Sequence, residues 1–269
     1  MMTETDSRRH LRWDACYNIR DVGGYPTIDG RQTRWRALVR ADNLCRLTLR
    51  GQAALVAYGV RTIVDLRSTD ELALAPHPFA HLVAPAGPLT YLHLPLLAEG
   101  DSVGAAAISD AATLQDMYGV AAATLEGLYS AILERYGANL AAIMRAVARA
   151  PEGAVLVHCH AGKDRTGLVV ALLLAVAGVP SPTIAADYAA SETYLQPLYH
   201  ALISQATQTT RAIEKLAQQF TTSPETMRAL LSYLGTRHGG VQRYLRTVGV
   251  AEQDRERLRS RLLSNDPLH

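Results

Sequence analysis

Cysteine is nearly missing from this sequence. Only Cys16, Cys45 and Cys159 occur in 269 residues, and no two of them are spaced as C-x-x-C. So low and odd a number does not describe a disulfide scaffold, and the spacing excludes the common zinc frameworks. An excess of one charge is also missing, with 27 Lys and Arg against 25 Asp and Glu. A formal charge of +2 gives no support to nucleic acid as a main partner. Long hydrophobic runs are missing as well. The longest, Leu168–Val179, stops at Pro180 and is too short to span a bilayer. Residues 1–10 are polar and charged and show no signal-peptide pattern. The expectation is a soluble, cytoplasmic protein without stable membrane insertion, with export by another route left open. What remains is apolar material at 48% of the chain, enough to bury a sizeable core.

The order of elements points to an α/β domain. Arg36–Val39 reads as a short strand. Thr48 is an N-cap for a helix over Leu49–Tyr58, which Gly59 ends. Thr62–Leu66 and Tyr91–Leu96 read as further strands, and 98–111, rich in Gly, Ala, Ser and Asp, as a loop. Gln115–Arg135 and Asn139–Ala150 have helical composition. In the second, Leu140, Ile143, Met144 and Val147 form one apolar stripe. Ala154–His158 is a compact apolar strand, and Thr166–Ala177 a helix apolar all round, so this unit should be central. Beyond Ser181 the pattern predicts helices near 183–190, 192–220, 224–236, 238–247 and 251–263. The domain reading is a flexible N-terminus over 1–13 and one domain over 14–269, in which 181–269 form a mainly helical cap. The sheet is expected to be mostly parallel with helices on both faces.

Between the apolar strand and the apolar helix stands His158-Cys159-His160-Ala161-Gly162-Lys163-Asp164-Arg165-Thr166-Gly167. Five residues separate Cys159 from Arg165. A loop of that length can curl with its backbone N–H groups inward and add them to those of the helix N-terminus, which makes an anion nest. Arg165 supplies a planar fork for two phosphate oxygens, and Cys159 sits as a nucleophile in the same positive field. Three adjacent residues, His158, Cys159 and His160, cannot easily converge on one tetrahedral ion, so no metal is expected.

This loop resembles the signature of the cysteine-dependent protein tyrosine phosphatase superfamily, His-Cys-x5-Arg-Thr. Its Gly-Lys-Asp-Arg ending is similar to that of atypical bacterial tyrosine and dual-specificity phosphatases, among them secreted mycobacterial and listerial enzymes that act on phosphoproteins and phosphoinositides. Asn18–Gly24, Arg40-Ala41-Asp42, Gly59–Ser68, Asp187-Tyr188, Tyr244-Leu245 and Gly249 resemble family segments in the family order. The resemblance implies a tyrosine phosphatase-like fold and a phosphate monoester hydrolase without cofactor. Cys159 would attack phosphorus, Arg165 and the loop would stabilise the oxygens, and inorganic phosphate would leave. The Thr166 hydroxyl would hydrogen-bond Cys159 Sγ, and His158 would orient the loop from behind. Ala161, Gly162 and Gly167 would help line the phosphate cradle.

The general acid stays open. No Trp-Pro-Asp triplet occurs, so the candidates are Asp164 in the loop, Asp101 in the 98–111 segment and Asp65 at a strand end. Asp65 could equally pair with Arg67 and brace the cradle. His160, Lys163 and Arg67 would make a basic mouth suited to extra phosphates, although Lys163 could equally be a solvated rim charge. Asn18, Arg20 and Asp21 look like residues that buttress the loop, and Asp187 and Tyr188 would close over the sheet end. Cys16 and Cys45 read as small half-buried core residues, with a protective disulfide to Cys159 as the alternative. The expected function is hydrolysis of phosphotyrosine with broad specificity. A phosphoinositide phosphatase and a non-catalytic phosphoryl-binding module are the alternatives.

Overall fold

The computed structural model of the protein describes residues 8–80, 89–97, 124–205 and 221–264. Five strands form one sheet: β1 (Arg20–Asp21), β2 (Leu38–Ala41), β3 (Val60–Asp65), β4 (Thr90–His93) and β5 (Ala154–His158), in the order β1-β2-β5-β3-β4. Among the described strands only the β1–β2 pair is antiparallel. As expected, β5 is central, and all five of its residues are buried. A strand buried on both faces reads as a continuous apolar run, which is why Ala-Val-Leu-Val was legible.

The period of two along β5 divides the core. Val155 and Val157 face one cluster, built mainly from α3 (Leu125–Arg135), α4 (Gly137–Arg149), α5 (Asp164–Val176), α7 (Pro224–His238) and α9 (Glu252–Leu262). Ala154 and Leu156 face the other, with Leu55 of α1 (Leu49–Tyr58), Trp13, Ile19 and Leu44. Each fully buried Leu or Val contributes about 1.5–3 kcal/mol, and eleven of the thirteen residues of α5 are buried. The C-terminal elements α6 (Ser181–Gln205), α7, α8 (Val241–Thr247) and α9 share the first cluster through Ile184, Leu230, Leu245 and Leu258. Among the described residues, no helix is long and apolar enough to cross a membrane.

Several boundaries move for physical reasons. The strand expected at Arg36–Val39 starts only at Leu38, because Arg36 takes a left-handed conformation (φ 59°) that cannot extend. Pro95 lies just beyond β4, which ends at His93, short of Leu96. Thr48 caps α1 through Gly51 N–H, and Gly59 (φ 102°) closes it, as expected. A six-residue helix, α2 (Thr69–Leu74), was not foreseen. The segments expected at 183–190 and 192–220 join in α6, which carries Pro197 inside it. Residues 98–111, 115–123 and 206–220 of the expected elements lie outside the described residues. Residues ahead of 14 already take part in the fold: Arg9 is buried, donates to Gly23 O and Gly24 O and lies 3.8 Å over the Tyr25 ring, and Trp13 joins the second cluster.

Candidate active site

The segment 159–163 links the end of β5 to the start of α5, at the carboxyl end of the sheet where α/β folds place their sites. Its backbone is turned by partners behind it. The C=O of His158 accepts from Leu66 N, that of Cys159 lies 3.1 Å from His158 Nδ1, and that of His160 accepts from Asn43 N. Asn18 Nδ2 donates to Ala161 O at 3.0 Å and Gly162 O at 3.1 Å, and Arg40 Nη2 donates to Gly162 O at 2.7 Å. Gly167 N donates to Lys163 O. Six consecutive carbonyls are thus engaged away from the loop's concave side. Among the described residues, no acceptor meets the N–H groups of His160, Ala161 or Gly162. That is the arrangement an anion nest requires. Gly162 is obligatory in it, because its φ is 64° and a Cβ would stand 2.4 Å from Ala41 O.

The buttress is itself charged and buried. Arg20 donates to Asn18 Oδ1 at 2.5 Å and pairs with Asp187 at 2.9 Å, while Arg40 pairs with the other Asp187 oxygen at 2.5 Å. All three side chains are at most 2% exposed. Burial works to raise the Asp187 carboxyl, but the two guanidinium charges overcome it and hold it ionised. Asp187 therefore braces the loop from inside rather than closing over the sheet end, while Tyr188 packs where a Gly167 side chain would stand. Gly167 is a packing position, since a Cβ there would stand 2.8 Å from the Tyr188 ring. Asn18 and Arg20 do buttress the loop. Asp21 does not: its carboxylate accepts from Gly23 N, Arg36 N and Tyr58 Oη and so shapes the turn before β2.

Cys159 is 2% exposed and Arg165 5%. The Arg165 guanidinium meets Glu71 fork to fork, at 2.5 and 2.8 Å. Glu71 escaped the sequence reading. It stands at the third position of α2, where Ser68 Oγ accepts from Glu71 N and Glu71 Oε2 accepts from Ser68 N. This capping box aims the carboxylate at Arg165, and Ser-x-x-Glu was a readable signal for it. Burial tends to raise the Glu71 pKa, but the Arg165 bonds and charge win and hold it at about 2. The Thr166 hydroxyl is buried and has no hydrogen-bond partner among the described residues, so the expected bond to Cys159 Sγ is not formed in this structure.

Asp164 accepts from Tyr129 Oη at 2.6 Å, and Tyr129 Oη also lies 2.9 Å from Tyr188 Oη. Asp65 is completely buried and gives both oxygens to Arg67. Burial opposes its ionisation, yet His158 and Arg67 depress its pKa, and both its oxygens are already taken, by Arg67 and Tyr91 Oη. Arg67 leaves the expected mouth for the same reason: it is fully buried on Asp65, Cys45 Sγ and Ala75 O. Lys163 is 6% exposed, with Nζ 3.7 Å from Asp164 and 3.3 Å from Thr221 O, so it is no solvated rim charge. His160 stays half-exposed at the rim, 4.0 Å from Glu71. Asp101 lies outside the described residues. Cys16, Cys45 and Cys159 are free thiols; Cys16 donates to Asp42 and Cys45 to Ala75 O.

Asp65, His77 and His158 bring ligand-type atoms within 4.8 Å of one another. Their hydrogen bonds do not suit a cation. Arg67 and Tyr91 Oη occupy the Asp65 oxygens, and Phe79 N–H donates to His77 Nδ1 at 3.2 Å, which puts the His77 proton on Nε2. Burial, then the neighbouring His158, lowers the His77 pKa to about 2, so the ring is neutral where it packs against His158 and Tyr91.

A sequence model described as the tyrosine phosphatase family matches residues 11–264. A tyrosine-protein phosphatase of Nostoc commune is 32% identical over 231 residues, covering 84% of this chain and 74% of that protein. The triple specificity protein phosphatase PtpB of Mycobacterium tuberculosis is 29% identical over 278 aligned positions, covering 93% of this chain and 97% of that protein. With the loop, its flanking strand and helix, and a match over nearly its whole length, the chain belongs to the tyrosine phosphatase family and is a phosphatase that takes a phosphorylated substrate and releases phosphate.

Proposed function

We propose that the protein hydrolyses phosphotyrosine, and other phosphate monoesters with it, through a cysteinyl-phosphate on Cys159. The observation that carries this reading is the row of six engaged carbonyls from His158 to Lys163, with the N–H groups of His160, Ala161 and Gly162 meeting no acceptor among the described residues and so open to phosphate oxygens. In the first step the Cys159 sulfur bonds to phosphorus and the ester P–O bond breaks. Asp164 gives its proton to the leaving oxygen. In the second step water attacks phosphorus, its proton passes to Asp164, and the S–P bond breaks to release phosphate and thiolate. Thr166, whose hydroxyl has no partner among the described residues, would donate a hydrogen bond to the departing sulfur. His158 would hold the loop through Cys159 O. The fourteenth residue onward would act as one catalytic unit, a reading supported by the core cluster that α6 to α9 share with β5 and α5.

Broad specificity is favoured by the relative described as triple specificity. A preference for phosphoinositides has less support, because Arg67 is held by Asp65 and Ala75 O and Lys163 Nζ lies against Asp164 and Thr221 O. The test is turnover of an aryl phosphate with chelator present. It should persist, and Cys159→Ser should lower it by about a thousandfold or more while vanadate still binds. Full turnover in C159S would refute the covalent mechanism, and vanadate binding by the wild type without turnover would favour a non-catalytic module. Phosphotyrosine, phosphothreonine, phosphoserine and phosphoinositide substrates compared by kcat/KM would then set the specificity.

A further inference from the structure

A pocket of about 590 Å³ opens at the opposite end of the sheet from Cys159. Its walls include Arg34, Arg36, Arg257 and Arg261, with Glu152 and Gly153. Arg36 precedes β2 and Gly153 precedes β5, so the pocket lies at the amino ends of the central strands. Five residues of β5 at about 3.3 Å each place it roughly 17 Å from the catalytic loop.

The four guanidinium groups are held there by groups other than a lining carboxylate. Arg34 Nε donates to Leu263 O at 3.0 Å, which leaves its two terminal nitrogens. Arg261 donates to Gly153 O and Pro151 O, each at 3.0 Å, and to Ala150 O. Arg36 lies 5.1 Å over the Tyr58 ring. Its left-handed backbone is an uncommon state for a residue with a side chain, and Asp21 fixes it by accepting from Arg36 N at 2.8 Å. Arg257 comes only to 3.8 Å from Asp254, whose oxygens Arg149 already holds at 2.7 and 2.9 Å. Burial and then the charge of Arg34 push the Arg261 pKa down, as expected for like charges held together.

We propose that this pocket is a second, non-catalytic site for a compact polyanion carrying two or more phosphate groups. Arginine forks suit several phosphate oxygens at once: Arg34 and Arg257 would supply the forks, while Arg261, held on three carbonyls, and Arg36, set over Tyr58, would add charge that a single monophosphate would leave largely unmatched. Glu152 would turn away such a ligand in part, which sets a charge threshold for binding.

The probe is inorganic tripolyphosphate, titrated calorimetrically at physiological salt with vanadate filling the catalytic loop. One site is expected. Arg257→Ala should weaken it about tenfold and Arg34→Ala/Arg257→Ala further, while Arg50→Ala, a substitution at an arginine 89% exposed elsewhere, leaves it unchanged. Glu152→Gln should tighten binding severalfold. Turnover of an aryl phosphate should be unaltered in all of these variants. Absence of binding, or equal losses in R50A and R257A, would overturn the proposal. Co-sedimentation with vesicles bearing a bisphosphorylated inositol lipid distinguishes the source. If R257A abolishes it, the ligand is a lipid headgroup; if vesicles fail to bind while tripolyphosphate binds, the ligand is a soluble polyphosphate.

Discussion

Two buried charge networks flank the loop, one on each face of the sheet, and they grip different things. On the α5 face, Arg20, Arg40 and Asp187 reach the loop backbone itself, through Arg40 on Gly162 O and through Asn18. On the opposite face, Asp65 and Arg67 are equally buried, but their other partners are Tyr91 Oη, Cys45 Sγ, Ala75 O and, at 3.6 Å from Asp65, His158 Nε2. Ala75 ends α2, the helix that carries Glu71. One network therefore holds the cradle's carbonyls at Ala161 and Gly162, and the other seats the helix that carries Glu71 and reaches the loop only through His158. The same ion-pair chemistry serves backbone geometry in one place and side-chain orientation in the other.

The largest effect should come from Asp187→Asn. It preserves shape but leaves two buried guanidinium groups without their charge partner, which costs about 3–5 kcal/mol. Urea denaturation should show that loss, and vanadate affinity should fall with it because Gly162 O loses its fixed donor. A loss under about 1 kcal/mol would end the contrast between the two networks.

The Glu71–Arg165 pair comes next. The folded pKa of Glu71, about 2, lies below its ordinary 4.5. Ionisation is thus favoured by folding, and the associated stability of about 3 kcal/mol is fully present above pH 4.5 and lost as the pH falls through 2. Glu71→Gln should remove this acid limb from a stability–pH series. It should also lower kcat/KM for an aryl phosphate about tenfold, because Arg165 loses the fork that orients it. An unchanged acid limb in E71Q would assign the transition to other carboxylates.

Asp65→Asn should cost less, about 2 kcal/mol, since Arg67 keeps Ala75 O and Cys45 Sγ. Its distinguishing mark is vanadate affinity preserved within about twofold. If D65N weakens vanadate as strongly as D187N does, both networks shape the loop and the division made above fails.

Much of the site's local order was legible because it rests on neighbours in the chain. The apolar β5, the loop after it and the apolar α5 lie within 154–176, and Thr48 and Gly59 bound α1 by their own backbone needs. What escaped depends on charges meeting across the fold. Arg40 and Asp187 are 147 positions apart, and Glu71 and Arg165 are 94 apart. An arginine in a sequence reads as surface, since burial of its charge needs a partner the sequence does not locate. Arg67 was accordingly expected at the mouth and is sealed instead. Glu71 had a local trace in its capping box, but the box specifies a helix start and says nothing of Arg165.

The smallest effect tests the acid on the cradle side. Tyr129 donates to Asp164 at 2.6 Å and is itself seated by Tyr188, so it orients the carboxyl without touching the loop backbone. Tyr129→Phe removes that donor and should cost about 1 kcal/mol of stability. If Asp164 protonates the leaving oxygen, a looser Asp164 matters most when that oxygen is a poor leaving group. Turnover should then fall about threefold for an alkyl-like aryl ester and hardly at all for a nitrophenyl ester. Asp164→Asn should show the same pattern, amplified. Equal losses on both esters in Y129F would mean that Tyr129 supports the general packing of α3 against α5 and α6. Wild-type leaving-group dependence in D164N would remove Asp164 as the acid and move the assignment to Asp101.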